Sequence, residues 1–158
     1  MKIFIDPGVL GTGLAHFTDE GKFLNWSVYK SKKGTWEERC KFIVDTFRNK
    51  LRLFTGARHY EDLPMPRLYC ERPTFMESGR GHTSARRGDL VKLCLIAGGL
   101  YGVGISALCK WEWIDIAKWK GQLSKENVAL RIKNILGKTF PDHATDAVGL
   151  GLYHFGRF

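Results

Sequence analysis

The sequence has no CxxC pair, few acidic residues, and no apolar run free of glycine that is long enough to span a bilayer. Its cysteines, Cys40, Cys70, Cys94 and Cys109, are scattered through apolar segments. That scatter excludes a zinc ribbon and a disulfide framework, and it predicts buried, reduced thiols in a reducing compartment. The most apolar stretch, Leu93 to Leu108, is interrupted by Gly98, Gly99, Gly102 and Gly104. It reads as a buried helix followed by a strand, not as a membrane span, so no membrane partner is expected. Met1-Lys2 runs straight into an apolar strand pattern, with no secretory signal. A cytoplasmic location is expected, in a bacterium or for a viral protein working in a bacterial host. An organellar protein after presequence removal stays open.

Acidic residues number 16 against 25 lysines and arginines, leaving a net charge of +9. Such an excess favours a polyanionic partner, of which nucleic acid is the commonest. It also fits a basic surface that binds nothing. The 158 residues suffice for one domain with a real core, and no repeat, low-complexity tract or linker divides residues 1–158.

Residues 2–6 are apolar on both faces, as in a central strand. Thr12–Phe17 and Phe23–Tyr29 flank the turn signal Asp19-Glu20-Gly21, which predicts an antiparallel meander. Thr35 and Glu38 form a capping box, and Trp36, Cys40, Ile43, Val44, Phe47, Leu51 and Phe54 follow with helical spacing. Residues 56–66 read as a loop, 67–71 as a fourth strand stopped by Pro73, and 76–83 as a flexible loop. A helix is expected from about Ser84 to Leu100, apolar nearly all round, and a fifth strand over Val103–Cys109. Trp111 to Gly121 is aromatic and basic without clear periodicity. Ser124 caps a helix ending at Gly137, with Val128, Ile132, Ile135 and Leu136 facing in. Pro141-Asp142, with Asp142 as the N-cap, opens the last helix. The order βββαβαβαα implies an α/β domain: a central mixed five-stranded sheet with helices on both faces.

Four residues carry the chemistry. Asp6 ends the first strand and is followed by Pro7-Gly8 and Gly11-Thr12-Gly13, glycines that let a phosphate backbone approach. Glu71 ends the fourth strand. A carboxylate at the exit of a buried strand is costly unless it is paired or bound to metal, although Asp6 also fits a turn cap and Glu71 an edge salt bridge. His143 and Asp146, three residues apart, share a face of the last helix. Ala144, Ala147, Gly149 and Gly151 let that helix lie close to the sheet. Together Asp6, Glu71, His143 and Asp146 can surround a pair of divalent metals, the arrangement with which many nucleases cut phosphodiesters. Basic residues gather in two places: Arg72, Arg80, His82, Arg86 and Arg87 around the predicted loop, and Lys110, Lys118, Lys120 and Lys125 around Trp111, Trp113 and Trp119. Such groups neutralise phosphates, and exposed aromatics stack on unpaired bases; core packing is the plainer role for the tryptophans. Phe75 is a candidate wedge at a distorted junction or an ordinary core residue.

The opening Phe4-Ile5-Asp6-Pro7-Gly8 with Thr12-Gly13 resembles the first motif of RuvC-type Holliday junction resolvases. Glu71 before Phe75, with one residue more than the usual spacing, is similar to the second. Ala85-Arg86-Arg87-Gly88 is similar to the entry of that family's interface helix. Lys118 or Lys120, with Lys125, resembles a basic pair whose intervening segment is shortened here, and His143-Ala-Thr-Asp146-Ala147 resembles the closing motif. The resemblance spans the chain in order. It implies a ribonuclease H-like fold, a homodimer through the helix near residues 84–100, and paired symmetric nicking of four-way branched DNA. It further implies two Mg²⁺ per subunit, replaceable by Mn²⁺, on Asp6, Glu71, His143 and Asp146, and Lys118 or Lys120 at the scissile phosphate. Arg72, Phe75, Arg80, His82, Arg86, Arg87, Lys118, Lys120 and Lys125 are the DNA-binding candidates. Partnership with branch-migration proteins and the preferred cleavage sequence are not legible. Other readings are a nuclease for RNA–DNA hybrids or flaps, a junction-binding protein without catalysis, and an actin-like or sugar-kinase ATPase, which needs far more chain.

Overall fold

The computed structural model describes residues 1–31, 33–56, 65–74 and 88–158. Its strands are β1 (Lys2–Asp6), β2 (Thr12–Phe17), β3 (Phe23–Tyr29), β4 (Arg67–Arg72) and β5 (Lys110–Asp115). Its helices are α1 (Trp36–Gly56), α2 (Asp89–Ser106), α3 (Ile116–Trp119), α4 (Lys125–Leu136) and α5 (Asp142–His154). The strands form one sheet in the order β3-β2-β1-β4-β5. β1, β2 and β3 are the antiparallel meander, whereas β4 pairs in parallel with β1 and β5 with β4.

Because side chains alternate along a strand, β1 feeds two cores. Ile3 and Ile5 join Leu14, Leu68 and Cys70 under α1 and α2, where Ile43, Phe47, Ile96 and Leu100 close the layer. Phe4 joins Phe17, Tyr69 and Ile114 under α4 and α5 with Val128, Ile132, Val148 and Leu152. This is the mixed α/β architecture of a ribonuclease H-like fold, with helices on both faces. The Thr35–Glu38 capping box is formed: each backbone amide donates to the other side chain. Ser124 Oγ accepts from the Asn127 amide, and Gly137 closes α4 at φ 67°.

The sequence expectation fails most plainly at the end of α2. Residues 103–109 are not a strand: α2 continues to Ser106, and the fifth strand is Lys110–Asp115. The glycines do not break α2 because packing outweighs their helix penalty of about 1 kcal/mol each. A Cβ on Gly99 would meet Val44 of α1, and one on Gly104 would meet Leu68 and Trp111, so both are sites of close approach. The helix then stops without a glycine. Leu108 takes the left-handed conformation at φ 57°, its amide donates to Ile105 O, and the Cys109 amide donates to Gly104 O, a Schellman closure. A short helix, α3, also lies between β5 and α4. Asp142 is the first residue of α5; the N-cap is Pro141. Cys70 and Cys109 are buried and Cys40 half-buried as thiols, but Cys94 is exposed on α2. By length and composition α2 could cross a membrane, yet one side of it packs Ile96, Ala97, Leu100 and Val103 into the core.

Candidate metal and phosphate site

Asp6 shares side-chain parity with Phe4, and Glu71 with Tyr69, so both carboxylates emerge on the α5 face of the sheet. The register that pairs Ile5 with Cys70 sets them side by side at the ends of parallel strands. Gly13 brings α5 down onto them: a Cβ there would collide with the carbonyl of His143. Gly8 has the same function in the turn after β1, where a Cβ would meet the His143 ring at 2.5 Å.

Each acidic side chain has a partner. His143 Nδ1 lies 2.8 Å from Asp6 Oδ2. Trp119 Nε1 donates to Glu71 Oε2 at 2.9 Å. Lys120 Nζ donates to both oxygens of Asp146, at 2.9 and 3.0 Å, in a pair about nine-tenths buried. Two consecutive residues at the end of α3 thus hold two of the carboxylates.

The electrostatics are those of crowded negative charge. Burial raises the Asp6 carboxyl above the ordinary carboxylate range and the Asp146 charge raises it further, while the hydrogen bond from His143 pulls it back. Burial, then the charge of Asp6, pushes Glu71 up to about 8, against the Trp119 hydrogen bond. The hydrogen bond to Asp6 holds His143 above its usual range, against desolvation. Asp6, Glu71 and Asp146 repel one another, and Lys120 offsets only part of that charge. By donor chemistry the cluster therefore fits a hard divalent cation. It is not a finished cage: among the described residues, no three His, Cys, Asp or Glu side chains are grouped to hold a metal as they stand. His143, Trp119 and Lys120 take up the coordination instead.

Of the two lysines weighed for the scissile phosphate, Lys120 belongs to the cluster. Lys118 is exposed and pairs with Asp115 at 3.6 Å. Arg72 pairs with the same aspartate at 3.2 Å, and Lys125 with Asp142 at 2.6 Å. These exposed pairs are worth at most about 1 kcal/mol and leave their cations free to exchange partners. The hydrogen bond from Lys125 holds Asp142 below the ordinary range. Phe75, Arg80, His82, Arg86 and Arg87 lie outside the described residues.

Sequence reasoning missed the role of Trp119. It is buried against Phe158 and bonded to Glu71, so it is no platform for bases. Trp111 and Trp113 are half-buried in a ring cluster with Tyr101. Only the adjacency of Trp119 to Lys120 hinted at the first of these contacts.

No protein-family model and no curated protein matches the chain. Solved structures do. A structure of Thermus thermophilus RuvC matches with TM-score 0.66 and 21% identity, over 99% of this chain and 96% of that one. T. thermophilus RuvC in complex with a Holliday junction substrate matches with TM-score 0.64 and 20% identity, over 99% and 94%. The chain has the RuvC fold. In this RuvC-like frame the acidic cluster lies where β1, β4 and the start of α5 converge.

Proposed function

We propose that the protein is a metal-dependent endonuclease that resolves four-way DNA junctions by paired, symmetric nicks. One observation carries the reading: Asp6, Glu71, Asp146 and His143 converge with Lys120 on a fold shared with a RuvC bound to a Holliday junction. Asp6, Glu71, His143 and Asp146 would hold two Mg²⁺, or Mn²⁺ in their place. When bound, the metals supply Lewis acidity at the phosphate and lower the pKa of the attacking water. The chain's own residues do the rest. His143 keeps Asp6 oriented through Nδ1, and Trp119 fixes one oxygen of Glu71. Lys120, released from Asp146, offers an ammonium to a non-bridging phosphate oxygen, where charge builds in the transition state. Arg72, Lys118 and Lys125 bind the flanking backbone.

Paired incision requires two sites. On α2, Val91, Leu95, Tyr101 and Ile105 are exposed apolar residues, up to 63% for Val91. Gly98 and Gly102 lie among them with nothing within 4 Å of where a Cβ would point. Such a stripe on an otherwise packed helix suits a second copy of the chain. The test uses a labelled four-way junction beside linear duplex, flap and RNA–DNA hybrid, with and without Mg²⁺, and maps products on a denaturing gel. Mg²⁺-dependent cuts confined to the junction are expected. Cutting of hybrid or flap instead would move the activity to another nuclease class, and tight binding without cutting would leave a junction-binding protein.

A further inference from the structure

We infer that a pocket between β3, α1 and α5 is a binding site for a backbone phosphate of the strand lying next to the cleaved bond. The inference rests on the nucleic-acid reading of the adjacent site but not on its catalysis. The pocket measures about 410 Å³ and is lined by Leu10, Lys30, Ser31, Arg39, Asp142 and His143. It adjoins the acidic cluster, because His143 lines the pocket and contacts Asp6 at the same time. Gly11 separates the two: a Cβ there would be 3.4 Å from the His143 ring and 3.5 Å from Lys30 Cβ.

The chemistry of the lining favours an anion. Among the described residues, Arg39 Nε is buried and has no hydrogen-bond partner, although its Nη1 donates to Gly34 O. A buried guanidinium N–H without an acceptor is costly; Nε is closed to solvent as it stands, and a small turn of the side chain toward the pocket would let a phosphate oxygen satisfy it with a charge-assisted bond. Arg39 stands in the first turn of α1, where the helix dipole disfavours a cation and welcomes an anion. Lys30 pairs with no carboxylate among the described residues. The lining also holds one acid, Asp142, in an exposed pair with Lys125 at 2.6 Å, so a single carboxylate stands against the two cations. Ser31 donates to Lys33 O, and Leu10, 64% exposed, offers an apolar edge suited to a deoxyribose. Lys30 and Arg39, neither of them paired with a carboxylate among the described residues, form a site for the phosphate neighbouring the one being cut; a metal would be repelled from them.

The test is phosphate interference in EDTA. Four-way junctions carry a single neutral methylphosphonate at successive positions around the exchange point, and binding is read by fluorescence anisotropy. In the wild type, one flanking position should lower affinity roughly tenfold, the worth of one charged hydrogen bond. Lys30→Gln and Arg39→Gln should each weaken binding to unmodified junction by a similar factor and lower the salt slope by about 0.9. Both should also lose the interference at that one position while keeping it elsewhere. Lys30→Gln, on a strand end, serves as the second variant should Arg39→Gln lower the melting temperature. Variants with the wild-type interference pattern and affinity would overturn the site, even in a protein that cuts junctions. Loss of the pattern in a protein that cuts nothing would uphold the site and sink the nuclease reading. Binding to no nucleic acid would sink both.

Discussion

At the scale of single residues, the carboxylates were legible because of where they stand. Asp6 and Glu71 end apolar strands, and a charge there demands a partner. The three-residue spacing of His143 and Asp146 put them on one helix face. Their actual partners were not legible: Trp119 and Lys120 reach Glu71 and Asp146 from 48 and 26 residues away. Asp6→Asn or Asp146→Asn should reduce cutting by at least a hundredfold while junction affinity stays within about threefold, checked by gel and anisotropy. Equal loss of both would contradict a division between ligands that do chemistry and cations that bind. The raised groups also set a pH dependence. Glu71 titrates near 8 in the folded chain against an ordinary 4.5, and His143 is held above 6.5. Between about 6.5 and 8 the folded state retains protons that the unfolded chain has released, so stability falls as pH rises. His16, buried and depressed to about 4, acts only below that window, where falling pH costs stability. Metal-free protein should therefore be less stable, and melt at a lower temperature, at pH 8 than at pH 6.5, each retained proton accounting for at most about 2 kcal/mol across that window. Mg²⁺ should shrink or reverse the difference. Melting that rises with pH without metal would contradict the crowded-charge account.

Among the elements, the meander, α1 and α4 were legible because their turns and caps use the residues those motifs require: Gly21, the Thr35–Glu38 box, Ser124 and Gly137. The end of α2 was not, because a leucine occupies the position that glycine normally marks. With no glycine at the stop, the apolar run from Val103 looked like a strand. The true strand Lys110–Asp115 alternates exposed and half-buried residues as far as Trp113 and then buries Ile114, a pattern hidden beneath its tryptophans and charges. Leu108 is 81% exposed, so its side chain contributes little burial. Leu108→Gly should be more stable than Leu108→Ala by about 1 kcal/mol, because only glycine takes the left-handed conformation without strain. Paired urea titrations check this, and an alanine variant at least as stable would refute it. Gly13→Ala works in the opposite sense. Its methyl group meets the His143 backbone, so it should destabilise by about 1–3 kcal/mol and weaken Mg²⁺ binding measured by calorimetry. Unchanged stability and metal affinity would show that α5 does not depend on this contact.

For the whole molecule, the fold class followed from the order of strands and helices, and the neighbours within the meander from its turns, whereas the places of β4 and β5 in the sheet did not. Only the sheet order β3-β2-β1-β4-β5 brings β1 and β4 together and so makes one site of Asp6 and Glu71. The apolar stripe on α2 was foreshadowed by a helix apolar nearly all round, but its outward glycines needed coordinates. Leu95→Glu, at the middle of that stripe, should shift the protein from dimer to monomer in light scattering with little change in melting temperature. A wild-type monomer would remove the basis for paired incision. The most direct test of the central claim uses a supercoiled plasmid that extrudes a cruciform, incubated with limiting protein and Mg²⁺. Relaxation abolishes the junction after a single nick, so two incisions within one binding event are needed to linearise the circle. Linear plasmid as the first product, absent in EDTA and with Asp6→Asn, is the expected result. Nicked circles alone, or no product with either Mg²⁺ or Mn²⁺, would contradict it.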